Sequence, residues 1–206
     1  MKKINLLTTL VVLVFVGCAP QHFETPVSTP VGSPFVIIAD FDSGDRPNNI
    51  GGDFGSWDKD PEDATQSCRA GFDAENADGL NVDGFSLRLI YDVNSPNEAY
   101  NGFWMKLEGV DLSEYNTLNL DIRGDAEKGF TDRLKIELKS FEQKDFFYVG
   151  NVGSEWKRVK IPLKEFRKIK NFSAMNEFVI VFEDSMSVPK SGAILIDNIS
   201  FSRENI

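Results

Sequence analysis

Residues able to do chemistry are unevenly distributed in this chain. Its 206 residues include one histidine, His22, two cysteines and 32 acidic residues. With a single imidazole in a proline-rich stretch, neither a Ser-His-Asp nor a Cys-His arrangement can be assembled. Histidine-based zinc sites fall away for the same reason. The acids are numerous enough to offer a carboxylate pair for glycoside hydrolysis, yet no spacing singles one out. A non-catalytic protein is expected. The segment "NNIGGDFGSWD" (Asn48–Asp58) has the glycine density of a phosphate loop. It is neither G-x-G-x-x-G nor a P-loop: no helix follows, no lysine caps it, and Asp53 and Asp58 would repel phosphate. It reads as a long turn whose glycines adopt backbone conformations that other residues would strain.

A different chemistry is open to the aromatic and charged residues further on. Binding a hydroxyl-rich polymer needs rings that stack on C–H groups and fixed polar side chains that bond hydroxyls. "GFWMKLEG" sets Trp104, Lys106 and Glu108 against Phe103, Met105 and Leu107. "RLKIELKS" sets Lys135, Glu137 and Lys139 against Leu134, Ile136 and Leu138, and "FFYVGNV" adds Phe146 and Tyr148. On one sheet these residues make a candidate carbohydrate-binding face of Trp104, Lys106, Glu108, Lys135, Glu137 and Tyr148, with Tyr91 and Tyr100 at its rim. A register slip of one residue would exchange the faces.

The elements that must position these side chains are strands. Period-two alternation recurs from Phe35 onward in nine stretches, from "FVIIADFD" (Phe35–Asp42) to "AILIDNISF" (Ala193–Phe201). The only helical hint is short, over Leu163–Ile169 after Pro162. Connections carry Gly, Asn, Asp and Pro. Many short strands at even spacing predict an all-β sandwich, a jelly roll of two antiparallel sheets. In that topology the strands near residues 103, 135, 147 and 179 share a sheet. Trp57 is expected to plug the end of the sandwich. Asp197 interrupts an apolar strand, where a buried acid needs a partner.

The ends of the sequence speak to location. Lys2 and Lys3 precede an apolar run over Leu6–Val16 that is too short to span a bilayer comfortably, so residues 1–17 read as a signal peptide. "FVGC" resembles the bacterial lipobox, which makes Cys18 the expected lipidation site. Ala19 after it carries no Asp-type inner-membrane retention signal, so the expectation is a bacterial cell-envelope lipoprotein of the outer membrane or cell surface. Residues 18–34, with four prolines, form the lipidated cysteine and a tether. The folded domain is then 35–206, where Cys68 is a lone, buried thiol without a disulfide. Removing Lys2 and Lys3 leaves 20 basic against 32 acidic residues, a charge of −12. Such a surface repels nucleic acid.

The second half carries a family resemblance. "NGFWMKLEGVDLSEYNTLNLDIRGD", "EWKRVKIPLKEF" (Glu155–Phe166) and "ILIDNISF" (Ile194–Phe201) resemble the family-11 carbohydrate-binding modules, which are galactose-binding-like jelly rolls. The resemblance implies that the partner is a polysaccharide or glycan, and Tyr148 aligns approximately with an aromatic position of the family's binding strand. It also implies a structural calcium ion where first and last strands meet, at Asp40, Asp42 and Asp197. A secondary resemblance is to the complex I intermediate-associated proteins, which have an Asn followed by Gly-Gly after the first strand, as in Asn48 or Asn49 with Gly51-Gly52. It implies an alternative, an assembly or adaptor lipoprotein that holds a protein partner.

Overall fold

In the computed structural model, residues 32–74 and 84–204 are described. They form eleven strands and a short 3-10 turn. In chain order the strands are β1 (Phe35–Ala39), β2 (Phe54–Asp58), β3 (Ser67–Asp73), β4 (Ser86–Asp92), β5 (Tyr100–Val110) and β6 (Thr117–Gly124). They continue with β7 (Leu134–Ser140), β8 (Lys144–Val149), β9 (Lys157–Pro162), β10 (Met175–Glu183) and β11 (Ser191–Ser202). All pairings are antiparallel. The first sheet runs β3-β4-β11-β6-β9, with β1 pairing the C-terminal half of β11 beyond the end of β4. The second runs β2-β5-β10-β7-β8. The two sheets make the jelly-roll sandwich expected from the alternation, and β5, β7, β8 and β10 share a sheet as the topology required.

Two strands escaped the alternation, β2 and β3. Both are sheet edges, and both are broken by glycine: "FGSWD" and "SCRAGFD". An edge strand is covered on fewer sides, so its sequence needs less apolar regularity. The helical hint after Pro162 is realised only as a 3-10 turn over Leu163–Glu165.

The core sits between the sheets and follows the predicted faces. Phe103, Met105 and Leu107 of β5, Phe178, Ile180 and Phe182 of β10, and Leu134, Ile136 and Leu138 of β7 point inward from the second sheet. Leu87, Leu89 and Tyr91 of β4, Leu118, Leu120 and Ile122 of β6, and Ile194, Ile196, Ile199 and Phe201 of β11 meet them. Each such side chain contributes about 1.5–3 kcal/mol by leaving water. In β11 the alternation is preserved only through a bulge: Asn198 takes a positive φ of 51°, and the register with β6 shifts between Asp197 and Ser200. Without that extra residue Ile199 and Phe201 would face solvent.

The turn after β1 is held by Asn48, which is buried. Its side-chain oxygen accepts hydrogen bonds from the backbone N–H groups of Ile50 (3.1 Å) and Gly52 (2.7 Å). Its amide nitrogen donates to the Lys106 carbonyl on β5 at 2.9 Å. Gly52 packs so tightly on the same carbonyl that a Cβ there would lie 2.2 Å from the oxygen. The Asn and Gly-Gly of this loop are therefore a clamp that delivers β2 to the edge of β5.

Candidate functional site

Backbone register builds the candidate site on the outer face of the second sheet. Alternate residues of β5, β10, β7 and β8 must point away from the core, and cross-strand pairing aligns them in rows. One row reads Trp57, Gly102, Val181, Lys135, Tyr148 across the five strands. The next reads Gly55, Trp104, Val179, Glu137, Phe146. A third, from β5 outward, reads Lys106, Glu177, Lys139, Lys144.

The middle positions are short and the flanks are long, so the face is concave. Val179 and Val181 are the floor, each 3 % exposed although they point away from the core. Gly102 extends the floor because nothing larger fits: a Cβ would stand 1.9 Å from the Ile180 carbonyl oxygen. Trp57, Tyr100 and Trp104 form one wall; Lys135, Glu137, Lys139 and Lys144 form the other, around a volume of about 400 Å³. Trp57 and Tyr100 meet edge to face with centroids 5.9 Å apart. Phe146 and Tyr148 do the same at 5.5 Å on the outermost strand.

Charged side chains in the groove are cross-linked rather than loose. Glu177 accepts from Lys106 and Lys139, both at 2.7 Å. Lys135 reaches Glu183 at 2.6 Å and Glu137 at 3.2 Å. The Tyr148 hydroxyl donates to the other oxygen of Glu183 at 3.0 Å. Burial opposes the charge on Glu177, but the two lysine hydrogen bonds outweigh it and hold its carboxyl below the ordinary range. For Lys135, burial works downward and is overcome by Glu183 and Glu137, which raise it. Lys106 also lies over the Trp104 ring at 5.5 Å, and Lys135 over Phe146 at 5.5 Å. The result is a fixed lattice of donors and acceptors beside aromatic rings.

A sequence-model comparison decides the family. The model of "Carbohydrate binding domain 30" matches residues 48–203, three quarters of the chain. The chain belongs to this carbohydrate-binding domain family. Among solved structures, a family-11 carbohydrate-binding module from Clostridium thermocellum, in complex with a β-1,3-1,4-mixed-linked tetrasaccharide, superposes with a TM-score of 0.60 at 16 % identity. That likeness covers 82 % of this chain and 95 % of the module. The family-11 module of the cellulosomal cellulase Lic26A-Cel5E of Clostridium thermocellum gives 0.59 at 15 %, with the same coverage. An exo-β-agarase gives 0.62 at 12 %, over 82 % of this chain but only 25 % of that enzyme. At these identities the structures establish the jelly-roll fold alone. No curated protein sequence matches.

The carbohydrate-binding domain places its predicted site residues in three groups. Trp104, Lys106, Lys135, Glu137 and Tyr148 stand together on the outer face, as expected. Glu108 points the same way but sits on a bulge, with φ 51°, past the last row of the groove. Tyr91 does not belong to the rim. It is 1 % exposed, stacked on Phe182 at 4.2 Å, and its hydroxyl donates to the Pro189 carbonyl. Burial pushes that phenol up to about 12. Its face follows from β4 pairing with β11 in the first sheet. Trp57 is likewise corrected: pairing opposite Gly102 turns it onto the groove wall rather than into the sandwich end. Reasoning from sequence also missed Glu177 and Glu183, although "EFVIVFE" holds the signal, with Glu177, Val179, Val181 and Glu183 at every second position.

Of the acids assigned to calcium, Asp40 and Asp42 are linked in the turn after β1, and Asp197 lies on β11, the strand that pairs with β1. Asp40 accepts from the Asn49 side chain at 2.7 Å and from the Asp42 backbone at 3.2 Å. Asp197 lies on β11 opposite Asp121, whose carboxylate takes two hydrogen bonds from Arg158 at 2.8 and 2.5 Å. Among the described residues no three His, Cys, Asp or Glu side chains gather as a metal cage. Cys68 is free and buried, and burial pushes its thiol up, away from reactivity. Cys18 lies outside the described residues.

Proposed function

We propose that this domain binds a polysaccharide chain along the groove of the second sheet without transforming it. The observation that carries the reading is the arrangement itself: Trp57, Tyr100 and Trp104 face a pre-bonded lysine–glutamate lattice across a floor of glycine and valine. Rings offer stacking surfaces for sugar C–H faces, and the fixed ammonium and carboxylate groups offer partners for hydroxyls at little ordering cost. The Trp57 indole N–H is covered and has no acceptor among the described residues; a modest tilt of the ring toward a hydroxyl-bearing ligand would supply one.

The same lattice argues against hydrolysis. A glycosidase needs one carboxyl held protonated near neutral pH, whereas lysines keep Glu177 ionised. The adaptor reading rested on Asn48 and Gly51-Gly52, and the clamp explains those residues without a partner. Anchoring through lipid on Cys18 at the bacterial outer membrane or cell surface remains part of the proposal. It would place the groove beside extracellular or envelope glycans.

Tryptophan fluorescence tests the reading directly, because two of the three tryptophans line the groove and Trp156 does not. Titration with soluble polysaccharides is expected to change emission in the wild type and in W156F. The response should be lost in the W57F/W104F pair. A broad polysaccharide panel without any binder would sink the proposal.

A further inference from the structure

We infer that the groove's ligand is an acidic polysaccharide, one whose sugars carry carboxylate or sulfate groups; this rests on the carbohydrate reading above. The whole chain carries a net charge of −10, yet positive charge collects at one end of the groove. The row across Lys106, Glu177, Lys139 and Lys144 holds three lysines against one glutamate. Glu177 is shared between Lys106 and Lys139. Lys144 makes no ion pair among the described residues and lies directly opposite Lys139 in the β7–β8 register. Like charges directly opposite on a sheet cost stability. An anionic group seated between them would relieve that repulsion and draw its hydrogen bonds from ammonium donors.

The other acids near this end do not cancel the excess. Glu108 sits past the bulge, and Glu142 lies in the exposed turn between β7 and β8. Neither forms an ion pair with these lysines among the described residues, and Asp53 is bonded to Arg46 at 3.1 Å. Toward the opposite end the balance reverses, since Lys135 is held between Glu137 and Glu183, beside the Trp57–Tyr100 wall. The groove is thus polar along its length: a cationic end for a charged substituent and an aromatic end for a ring face. At physiological ionic strength a field is screened over about 8 Å. The local lysines, not the distant acidic surface, then set the potential a bound sugar meets.

The test uses pairs of polymers with the same backbone that differ in charge: polygalacturonate against its methyl ester, and carrageenan against its desulfated form. Binding by affinity electrophoresis and titration calorimetry is expected to favour an acidic member by at least about tenfold, and to weaken as salt rises. Preference for polygalacturonate would assign the charge to carboxylate, and for carrageenan to sulfate. K144Q, on an exposed edge position, is expected to remove much of the preference with the melting temperature near wild type. K139Q is expected to do the same with a modest fall, because Glu177 keeps only Lys106. Equal or tighter binding of the neutral members overturns the inference and leaves the groove reading intact. So does an acidic preference that survives in K139Q/K144Q. Failure of every polymer to bind removes both readings together.

Discussion

The two outer faces of the sandwich use the same residue types to opposite ends. On the first sheet, Leu195 of β11 points away from the core yet is fully buried. Its register neighbours are Arg88 on β4 and Arg123 on β6. Arg88 is tied to Asp73 and Asp125, and Arg123 lies 5.5 Å over the Trp156 ring. Around Leu195 the arginine stems are thus laid flat across the strand and sealed at their tips, while the β1 side of the same face keeps a hollow of about 360 Å³ beside Phe35, Ile37, Asn119 and Ser200. On the second sheet Val179 and Val181 hold the equivalent central positions, but beside them Gly102 continues the floor while Trp104, Lys135 and Glu137 stand up and leave a trough. Ion pairs alone do not distinguish a binding face from a solvated one. What distinguishes the regions around Leu195 and around Val179 and Val181 is whether the long side chains lie over the floor or stand beside it.

The largest break in this contrast is expected at the clamp that brings β2 to the groove. Replacing Asn48 by Ala removes three hydrogen bonds and leaves buried backbone groups unpaired. The cost should be roughly 2–4 kcal/mol of folding stability, read as a lower midpoint in urea, with Trp57 fluorescence shifting as the edge strand loosens. An unchanged midpoint would show that the loop holds β2 by other means.

The next effect separates the faces by function. Trp104→Ala should weaken polysaccharide binding by about 2 kcal/mol, close to thirtyfold, as buried aromatic anchors do, with little change in melting temperature. Arg158→Ala on the first sheet should do the reverse. It leaves the Asp121 carboxylate, whose side chain is 8 % exposed, with the Asn198 amide at 3.1 Å in place of its charged partner. Half-exposure of the guanidinium keeps the loss nearer about 1–2 kcal/mol than the 3–5 of a fully buried pair. Binding should be untouched. If Arg158→Ala weakens binding as much as Trp104→Ala, the division of labour between the faces is wrong.

A smaller effect concerns pH. Glu177 titrates lower in the folded chain because Lys106 and Lys139 outweigh its burial. Its contribution is therefore complete above the unfolded carboxylate value of about 4.3 and fades as pH falls through the lower folded value. Melting curves of wild type and E177Q should differ most at neutral pH and converge in acid. Curves that stay parallel down to strong acid would mean that the lysine lattice adds nothing to stability.

How much of this was legible in the sequence depends on the period of the pattern. Strands with strict alternation, such as β5 and β7, disclosed both the core and five of the face residues. β10 disclosed its core but hid Glu177 and Glu183, because valines at 179 and 181 make an outward face look inward. Tyr91 was misplaced because one strand's alternation says which residues share a face, not which sheet that face belongs to; that was settled by pairing with β11, a hundred residues away. Trp57 was lost with β2, whose glycines mask a strand that long-range pairing to β5 creates. Cross-sheet geometry, then, was the part the sequence withheld.

The smallest expected effect bears on calcium and on the turn after β1, outside the groove. Asp40 is engaged by Asn49 and by the Asp42 backbone, and Asp197 stands by Asp121 on the first sheet. A calcium ion needs six to eight oxygens at 2.3–2.6 Å from one point, and among the described residues no three acidic side chains gather at one. Chelation with EDTA is therefore expected to move the melting temperature by less than about 1 °C, since a ligand stabilises a fold only by binding the native state. A rise of several degrees on adding millimolar calcium, abolished in D42N, would mean that the turn after β1 rearranges to gather the missing oxygens. Because that turn leads directly into the Asn48 clamp, such an ion would stabilise β2 and the groove wall together. The decisive observation is then whether calcium changes polysaccharide affinity as well as stability.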